Sequence, residues 1–388
     1  MNERVIAIQL DLERCMLWGD RLRVLLNSNH ITYGEINELL REKGIFLDSS
    51  DKSVTVPLLS SCLLTPEEFA RIISRSYSRE SLEKYKTDKL TLISANADWR
   101  SSIIENFDVL VGGISLESGH EFVDLPTITS HSNDVLEITY TIKKEDFSKD
   151  FIDQELQFSG GIIISKRDGV LLLELQRTHT SKETDRINGI FSKSCTTYLK
   201  SNGVVNEQAP QSIRFDNFNN EERIQFFLHL TGANDKALSF DELSDIEIVR
   251  DESAGALPND PAISWMEGKV KKIRINGEKL DKLGLITNKG FHRYCFLVKM
   301  STRYKFQLGG TKGTCAVDFW FGGKTGHERD FSNTEMNISI DRISRMSNKA
   351  AEHEVRRNIL RSLCDLRDTA MNAIVSKREQ KDTHPPSL

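Results

Sequence analysis

The stretch that decides the fold is residues 291–321, FHRYCFLVKMSTRYKFQLGGTKGTCAVDFWF. Apolar and polar side chains alternate over residues 291–300, 303–308 and 314–321, and a period of two predicts β-strands. One face of the last strand holds Cys315, Val317, Phe319 and Phe321. Because consecutive strands with short connections pair antiparallel, we predict an antiparallel meander in this part of the chain.

A long helix is predicted after this sheet. Its apolar residues recur at spacings of 4, 4, 3, 4 and 4, which places them in one stripe of an α-helix. The stripe consists of Val355, Ile359, Leu363, Leu366, Ala370 and Ile374. Since monomers avoid exposing a stripe of this length, we expect it to pack into a core or a dimer seam. Residues 381–388 are predicted to form a disordered tail.

Upstream, residues 90–255 are predicted to mix strands and helices. Short apolar runs predict strands at residues 90–94, 109–114, 136–142, 161–165 and 170–174. A helix is expected to begin at the cap Thr180–Glu183 and to end at Asn202-Gly203, and a second helix is expected from Asn220 to about Leu230. The loop Asp251–Asp260, with its glycine and prolines, is the predicted linker to the basic sheet.

The first 89 residues are predicted to form a mostly helical domain. Thr32–Glu35 and Thr65–Glu68 are capping boxes that each begin a helix. Two extended pieces at residues 45–47 and 54–59 predict a small hairpin between those helices. This order resembles a winged helix in outline only, because the face that would meet DNA is rich in glutamate, a poor surface for phosphates.

The fold class predicted from these patterns is α+β. We expect a helical domain with a small hairpin over residues 1–89 and an acidic mixed α+β domain over residues 90–255. A basic antiparallel sheet with the C-terminal helix follows over residues 261–380, and the tail covers residues 381–388.

Composition excludes several classes of protein. The 388 residues are 38% hydrophobic and 28% charged, as in ordinary soluble globular proteins. No window of 18 apolar residues is present, so the sequence predicts no membrane partner. The six cysteines form no C-x-x-C pair, so we expect buried, reduced thiols in a cytoplasmic protein and no structural metal site.

Charge is distributed unevenly along the chain. The net charge is −5, but residues 101–260 carry 14 more acidic than basic side chains, and residues 261–388 carry 10 more basic than acidic ones. Such asymmetry points to a polyanionic partner. An alternative is that the basic face docks on the acidic middle of the same chain or of a copy, because opposite charges also attract within a protein.

The basic C-terminal region supplies the candidate nucleic-acid-binding residues. Within residues 303–308 the polar side chains alternate with aromatic and aliphatic ones, so Arg303 and Lys305 should share the face opposite the core. We expect these two and Lys271 to lie exposed on one positive surface that suits phosphates, with His292, Tyr294 and Trp320 as stacking groups. The full candidate set is Lys269, Lys271, Lys272, Arg274, Arg293, Lys299, Arg303, Lys305, Lys312 and Lys324.

A catalytic alternative centres on Glu174-Leu-Gln176. Metal-dependent nucleases place an acid, one intervening residue and a polar or basic residue at a strand end, where the acid holds Mg²⁺. Glutamine is a rare substitute for lysine in this arrangement, and the second acid would have to be Asp153 or Glu155. A pair such as His179 and Glu183 has no third ligand at a recognisable spacing, so it predicts no metal site.

Three hypotheses follow from the sequence. The first is a non-enzymatic, cytoplasmic nucleic-acid-binding or assembly component, without a cofactor, that uses the basic region for phosphates and the N-terminal helices for a protein partner or a homo-oligomer. The second is a Mg²⁺-dependent nuclease at Glu174 and Gln176. The third is an interaction module that self-associates through its acidic and basic regions. We also expect a role in bacterial phage defence or in a mobile element. This expectation rests on what chains with several small domains and no familiar motif commonly do, and not on particular residues.

Overall fold

A computed structural model defines the fold. It describes residues 17–27, 31–48, 51–72, 82–145, 155–167, 171–206, 208, 210–234, 237–261, 263–266, 272–277, 280–308, 310–322, 330–344 and 349–383. The mixed α+β fold predicted from the sequence is confirmed, with a large antiparallel sheet and a long C-terminal helix. No helix in the described ranges is long and apolar enough to cross a membrane.

Ten strands form the sheet. They are β1 (Lys84–Thr91), β2 (His120–Ser132), β3 (Val135–Glu145), β4 (Glu155–Lys166), β5 (Leu172–His179), β6 (Leu238–Arg250), β7 (Lys272–Asn276), β8 (Cys295–Leu308), β9 (Thr311–Phe321) and β10 (Met336–Ile343). Their order across the sheet is β2-β3-β4-β5-β1-β10-β9-β8-β6-β7.

The helices are mostly short, apart from those after β5 and β10. They are α1 (Asp20–Asn27), α2 (Tyr33–Glu42), α3 (Lys52–Ser61), α4 (residues 66–72), α5 (Trp99–Ile104), α6 (Phe107–Gly112), α7 (Lys182–Ser201), α8 (Asn220–Leu230), α9 (Gly284–Thr287), α10 (Lys289–His292) and α11 (Lys349–Thr383). The predicted helix from Asn220 to Leu230 is confirmed, and α7 spans the helix predicted between Thr180 and Asn202.

The chain divides into two compact units. Unit 1 comprises Met1–Leu82, Arg100–Ile162 and His179–Cys195, and unit 2 comprises Glu83–Trp99, Ile163–Thr178 and Thr196–Leu388. This division differs from the three predicted domains. β1 runs across the predicted boundary at residue 89, and the predicted linker leads into Ile263 and Met266, which are buried in the same core as β6 and β8.

Unit 1 contains a bundle of α1 to α4. Its core includes Leu22 and Leu25 of α1, Ile36 of α2 and Leu59 of α3. The predicted hairpin is wrong, because residues 54–59 lie in α3 and residues 45–47 form no strand. Asp51 begins α3 by accepting a hydrogen bond from the Ser53 N–H at 2.8 Å, and burial of the helix outweighs the strand preference of its β-branched residues. The described residues between 17 and 72 therefore contain no hairpin that could serve as the wing of a winged-helix domain.

Unit 1 also holds the β2–β3 hairpin and the first part of α7. The hydroxyl of Tyr140 on β3 lies 2.9 Å from both the Thr184 carbonyl and the Asn188 Oδ1. Gly160 on β4 lies under the Tyr140 ring, where a Cβ would come within 2.4 Å of the hydroxyl oxygen. The glycine is therefore required by the close approach of that ring.

Unit 2 is built on the stretch 291–321. The three predicted strands are in fact two, because β8 runs without a break from Cys295 to Leu308 and residues 291–292 are helical. The alternation continues through Ser301 and Thr302, so no turn forms there. The predicted stripe of α11 is confirmed as a core element. Val355, Ile359, Leu363, Ala370 and Ile374 are buried, and Leu366 is partly buried against the same cluster.

Other differences from the sequence predictions concern short apolar runs. Residues 109–114 were expected as a strand, but the run lies mostly in α6, with Leu110 buried and Val109 exposed. Periodicity over so few residues does not separate helix from strand. Cys195, Cys295, Cys315 and Cys364 are buried and free, as predicted, whereas Cys62 is free and only half-buried.

Candidate functional site

The outer face of β6 to β9 carries six of the predicted phosphate-binding cations, and we call it the polar face. These cations are Lys272, Arg274, Lys299, Arg303, Lys305 and Lys312. On β8 the structure shows the predicted alternation, with Arg303 and Lys305 exposed and Tyr304 and Phe306 buried. Cross-strand register places Arg274 of β7, Glu247 of β6 and Lys299 of β8 in one row.

Five cations of the polar face contact carboxylates, whereas Lys312, opposite Gln307, has no carboxylate partner among the described residues. Arg303 Nε lies 2.7 Å from Asp241 Oδ2, and its Nη2 contacts Glu242, while Lys305 Nζ lies 2.6 Å from Asp241 Oδ1. The remaining pairs are Lys272 with Glu247, Arg274 with Asp245 at 2.5 Å and Lys299 with Asp318 at 2.5 Å.

These pairs neutralise five of the six predicted cations of the polar face. Five cations meet five carboxylates, and four of the carboxylates lie on β6, which belongs to the acidic middle of the sequence. Hydrogen bonds from Lys305 and Arg303 lower the pKa of Asp241, so this carboxylate stays ionised at neutral pH. A phosphate that approaches these cations therefore has to compete with carboxylates already in place.

The remaining predicted cations lie in the turn before β8 or outside the described residues. The Arg293 guanidinium lies 4.4 Å from the ring centre of Tyr294 in that turn. Lys269, Lys271 and Lys324 lie outside the described residues. Of the proposed stacking groups, His292 and Tyr294 are buried, and Trp320 is half-buried on β9.

Glu174 lies on β5 among guanidinium groups. Its side chain is almost fully buried, and its Oε2 accepts a hydrogen bond from Arg167 Nε at 3.2 Å. Arg167 Nη2 in turn lies 2.7 Å from Asp365 on α11. The Arg167 guanidinium thus contacts the carboxylate that the nuclease hypothesis assigns to Mg²⁺, and within the described ranges no three His, Cys, Asp or Glu side chains could hold a metal ion together. Asp153 and the side chain of Glu155 lie outside the described residues.

A buried charge network continues from Glu174 along α11. Arg367 is 4% exposed and donates to Asp368 Oδ1 from both Nε and Nη2, at 3.1 and 2.9 Å. Lys89 of β1 also pairs with Asp368. Burial alone would raise the pKa of Asp368, but the charges of Arg367 and Lys89 outweigh burial and hold this pKa below its ordinary value of 3.8. The network therefore holds α11 on the sheet.

Replacing Asp368 with asparagine should lower the stability of unit 2 by about 3 kcal/mol at neutral pH, because Arg367 then stays buried without its charge partner. The folded pKa is depressed, so the contribution of Asp368 is present above its unfolded pKa of about 3.9 and is lost as the pH falls through the folded pKa. Urea unfolding of both proteins between neutral pH and pH 2 should therefore give curves that converge at low pH. Glu354→Gln, which removes an exposed carboxylate of the same helix, is the matched control; equal curves for all three proteins would contradict the network.

The helical bundle of unit 1 exposes two large apolar side chains at one end. Phe46 is 77% exposed and Leu63 is 85% exposed. The Lys43 Nζ, three residues before Phe46, donates to the Leu63 carbonyl at 2.7 Å and to Glu68 Oε2 at 2.9 Å, which joins the two loops. We call Phe46 and Leu63 the apolar end.

The sequence analysis missed the apolar end, although a signal for it was present. Ile45 and Leu47 pack against the bundle core on either side of Phe46. In an extended segment, alternate side chains point in opposite directions, so inward-facing neighbours leave Phe46 facing outward.

Comparison with known proteins gives one match within this bundle. Residues 20–82 are similar to the family described as GAPS4b protein N-terminal domain, which covers less than half of the chain. No curated protein matches the sequence. Among solved structures, DynU16, a protein in the dynemicin biosynthetic locus, is 7% identical, and the alignment covers 76% of this chain and 98% of that chain with a TM-score of 0.20. A likeness at that level carries no argument about fold or function.

Proposed function

We propose that this protein is a non-enzymatic assembly component that binds a protein partner through the apolar end of its helical bundle. The observation that carries the proposal is the exposure of Phe46 and Leu63 on two loops that the Lys43 side chain joins. Isolated apolar residues on a surface are ordinary, but two large ones on loops that are tied together are typical of a protein contact.

The ordering of these loops supports the proposal. The capping box at the start of α4 fixes the loop that carries Leu63, because Thr65 Oγ1 accepts the Glu68 N–H at 3.2 Å and Glu68 accepts the Thr65 N–H at 2.7 Å. Glu68 also pairs with Lys43, beside Phe46. A surface that is already ordered loses little conformational entropy when a partner binds, which favours affinity.

The remaining charged sites favour a structural role over a catalytic or phosphate-binding one. Glu174 is engaged by Arg167, and five of the six predicted cations of the polar face pair with carboxylates. The acidic and basic parts of the sequence thus meet within one sheet of one chain. This arrangement supports a proposal in which the two regions attract each other inside the fold and not between copies of the chain.

Nucleic-acid binding is the second candidate function. The side chains of Arg274, Arg303 and Lys305 are 64%, 49% and 63% exposed, so they are accessible although they are paired. In this proposal phosphates would displace the carboxylates of β6. A cytoplasmic location and a role in phage defence or a mobile element are further proposals, on which the geometry of the described residues does not bear.

Replacing Phe46 and Leu63 with serine should remove the partner without unfolding the bundle. Both side chains are exposed, so the free energy of unfolding should change by less than about 0.5 kcal/mol per site. Partners are identified by cross-linking mass spectrometry in the native host, and their binding is then measured with purified protein. Leu171→Ser, an exposed leucine of unit 2, is the matched control. A purified partner that binds the double variant as tightly as the wild type would refute the proposal, and so would a large loss of stability in the variant.

A further inference from the structure

The open edge of β2 offers a second interaction surface in unit 1. β2 is the last strand in the order of the sheet, and the described strand that pairs with it is β3. The open edge of a strand presents backbone N–H and C=O groups to any other strand, so proteins usually protect such edges with charges, proline, bulges or short length.

Most of the sheet edge is protected in this way. β7, at the opposite end of the sheet, has five residues and carries Lys272 and Arg274. The first half of β2 contains Pro126, and its register with β3 shifts between Phe122 and Asp124 and again before Thr127. These features discourage pairing along both of these segments.

The run Thr127–Ser130 lacks such protection. Its four residues pair in regular register with residues 139 to 136 of β3. The run is Thr-Ile-Thr-Ser, without a charge or a proline, in a chain that is 28% charged. Thr127, Thr129 and Ser130 are exposed, and threonine and isoleucine favour the strand conformation.

Side-chain hydrogen bonds also hold the run in place. Arg100, at the start of α5, donates to Ser130 Oγ at 2.5 Å and to Asn133 Oδ1 at 3.2 Å. The hydroxyls of Thr127 and Thr139 lie 3.4 Å apart across the hairpin. The edge is therefore fixed in the extended conformation that a further strand requires.

We propose that two copies of this chain pair antiparallel along Thr127–Ser130, so that the sheets of the two copies join edge to edge. The occupant is a second copy because the run is complementary to itself. Under a two-fold axis, hydroxyl side chains and Ile128 face each other and no like charges meet, and threonine and serine pairs across strands are favourable. Such a short contact gives a weak dimer that forms as concentration rises. This inference does not rest on the apolar end, which is a different surface.

The test adds charge on one face of the run. Sedimentation equilibrium of the full chain should show a reversible dimer for the wild type. Thr127→Lys/Thr129→Lys and Thr127→Glu/Thr129→Glu should each weaken the dimer by about tenfold. When the two-fold axis passes Ile128 or Thr129, residue 129 of one copy lies opposite residue 127 or 129 of the other, so like charges face each other. An equimolar mixture of the two variants should recover association, since lysine then faces glutamate.

Matched controls separate this result from other effects. Asn372→Lys/Ser376→Lys adds the same charge to exposed positions of α11 and should leave the dimer unchanged. A wild type that stays monomeric up to its solubility limit would overturn the proposal. A dimer that survives both charge variants would overturn it as well, and loss of that dimer in Phe46→Ser/Leu63→Ser would place the contact at the apolar end instead.

Discussion

Unit 2 should lose its folded structure when Leu363 is replaced with aspartate. Leu363 is fully buried in the middle of the α11 stripe, and its neighbours are the apolar side chains of the sheet core. A carboxylate placed there has no partner, and an unpaired buried charge costs more than about 4 kcal/mol, which approaches the whole stability of a domain. Circular dichroism and urea unfolding should show loss of the cooperative transition of unit 2.

The control for this experiment is Asn372→Asp, which adds the same charge to an exposed position of the same helix. It should shift the melting temperature by no more than a few degrees. A soluble Leu363→Asp protein with the melting temperature of the wild type would show that α11 does not close the core.

Arg367→Met should destabilise the protein by about 3–5 kcal/mol. Arg367 is buried and contacts Asp368, so its loss removes one of the cations that stabilise this largely buried carboxylate and leaves Lys89 as the remaining close partner. Arg367→Met combined with Asp368→Asn should recover part of that loss, because the apolar side chain then has no unpaired acid beside it. Urea unfolding of the two single variants and the double variant gives the coupling energy.

The same measurements distinguish the network from a nuclease centre. If Glu174 serves structure, Glu174→Gln should lower stability, since Arg167 loses the charge of a buried partner. If Glu174 serves catalysis, removing its charge should leave stability unchanged or raise it, because active sites hold charges at a cost to stability. DNA cleavage with Mg²⁺ that disappears in Glu174→Gln would contradict the structural account of this residue.

The sequence predicted the parts of the fold in which local pattern and burial agree. The α11 stripe, α8 and the alternation of β8 each have one strong period, and packing in the structure follows that period. α3 was missed because its β-branched residues favour a strand locally, while its burial depends on contacts with α1 and α2. Such contacts are not visible in a single segment.

The candidate sites could be predicted only in part, because pairing is non-local. The sequence identified Arg303 and Lys305 as exposed cations but not their partner Asp241, which lies more than 60 residues upstream on a strand that was not predicted. β6 was missed because its acids interrupt the apolar pattern. Those same acids are the ones that neutralise the polar face.

The measurement that tests the central claim most directly is binding of a generic DNA duplex, followed by fluorescence anisotropy as a function of salt. If the charge asymmetry is satisfied inside the sheet, the wild type should bind no more tightly than about 10 µM at low salt, and log Kd should depend little on log salt. Asp241→Asn/Glu242→Gln frees Arg303 and Lys305, so this variant should bind more tightly and with a steeper dependence on salt. Two results together would contradict the account and establish the polar face as a nucleic-acid interface. The wild type would bind with a submicromolar Kd and a steep dependence of log Kd on log salt, and this dependence would become shallower when Lys272, Arg303 and Lys305 are replaced with alanine.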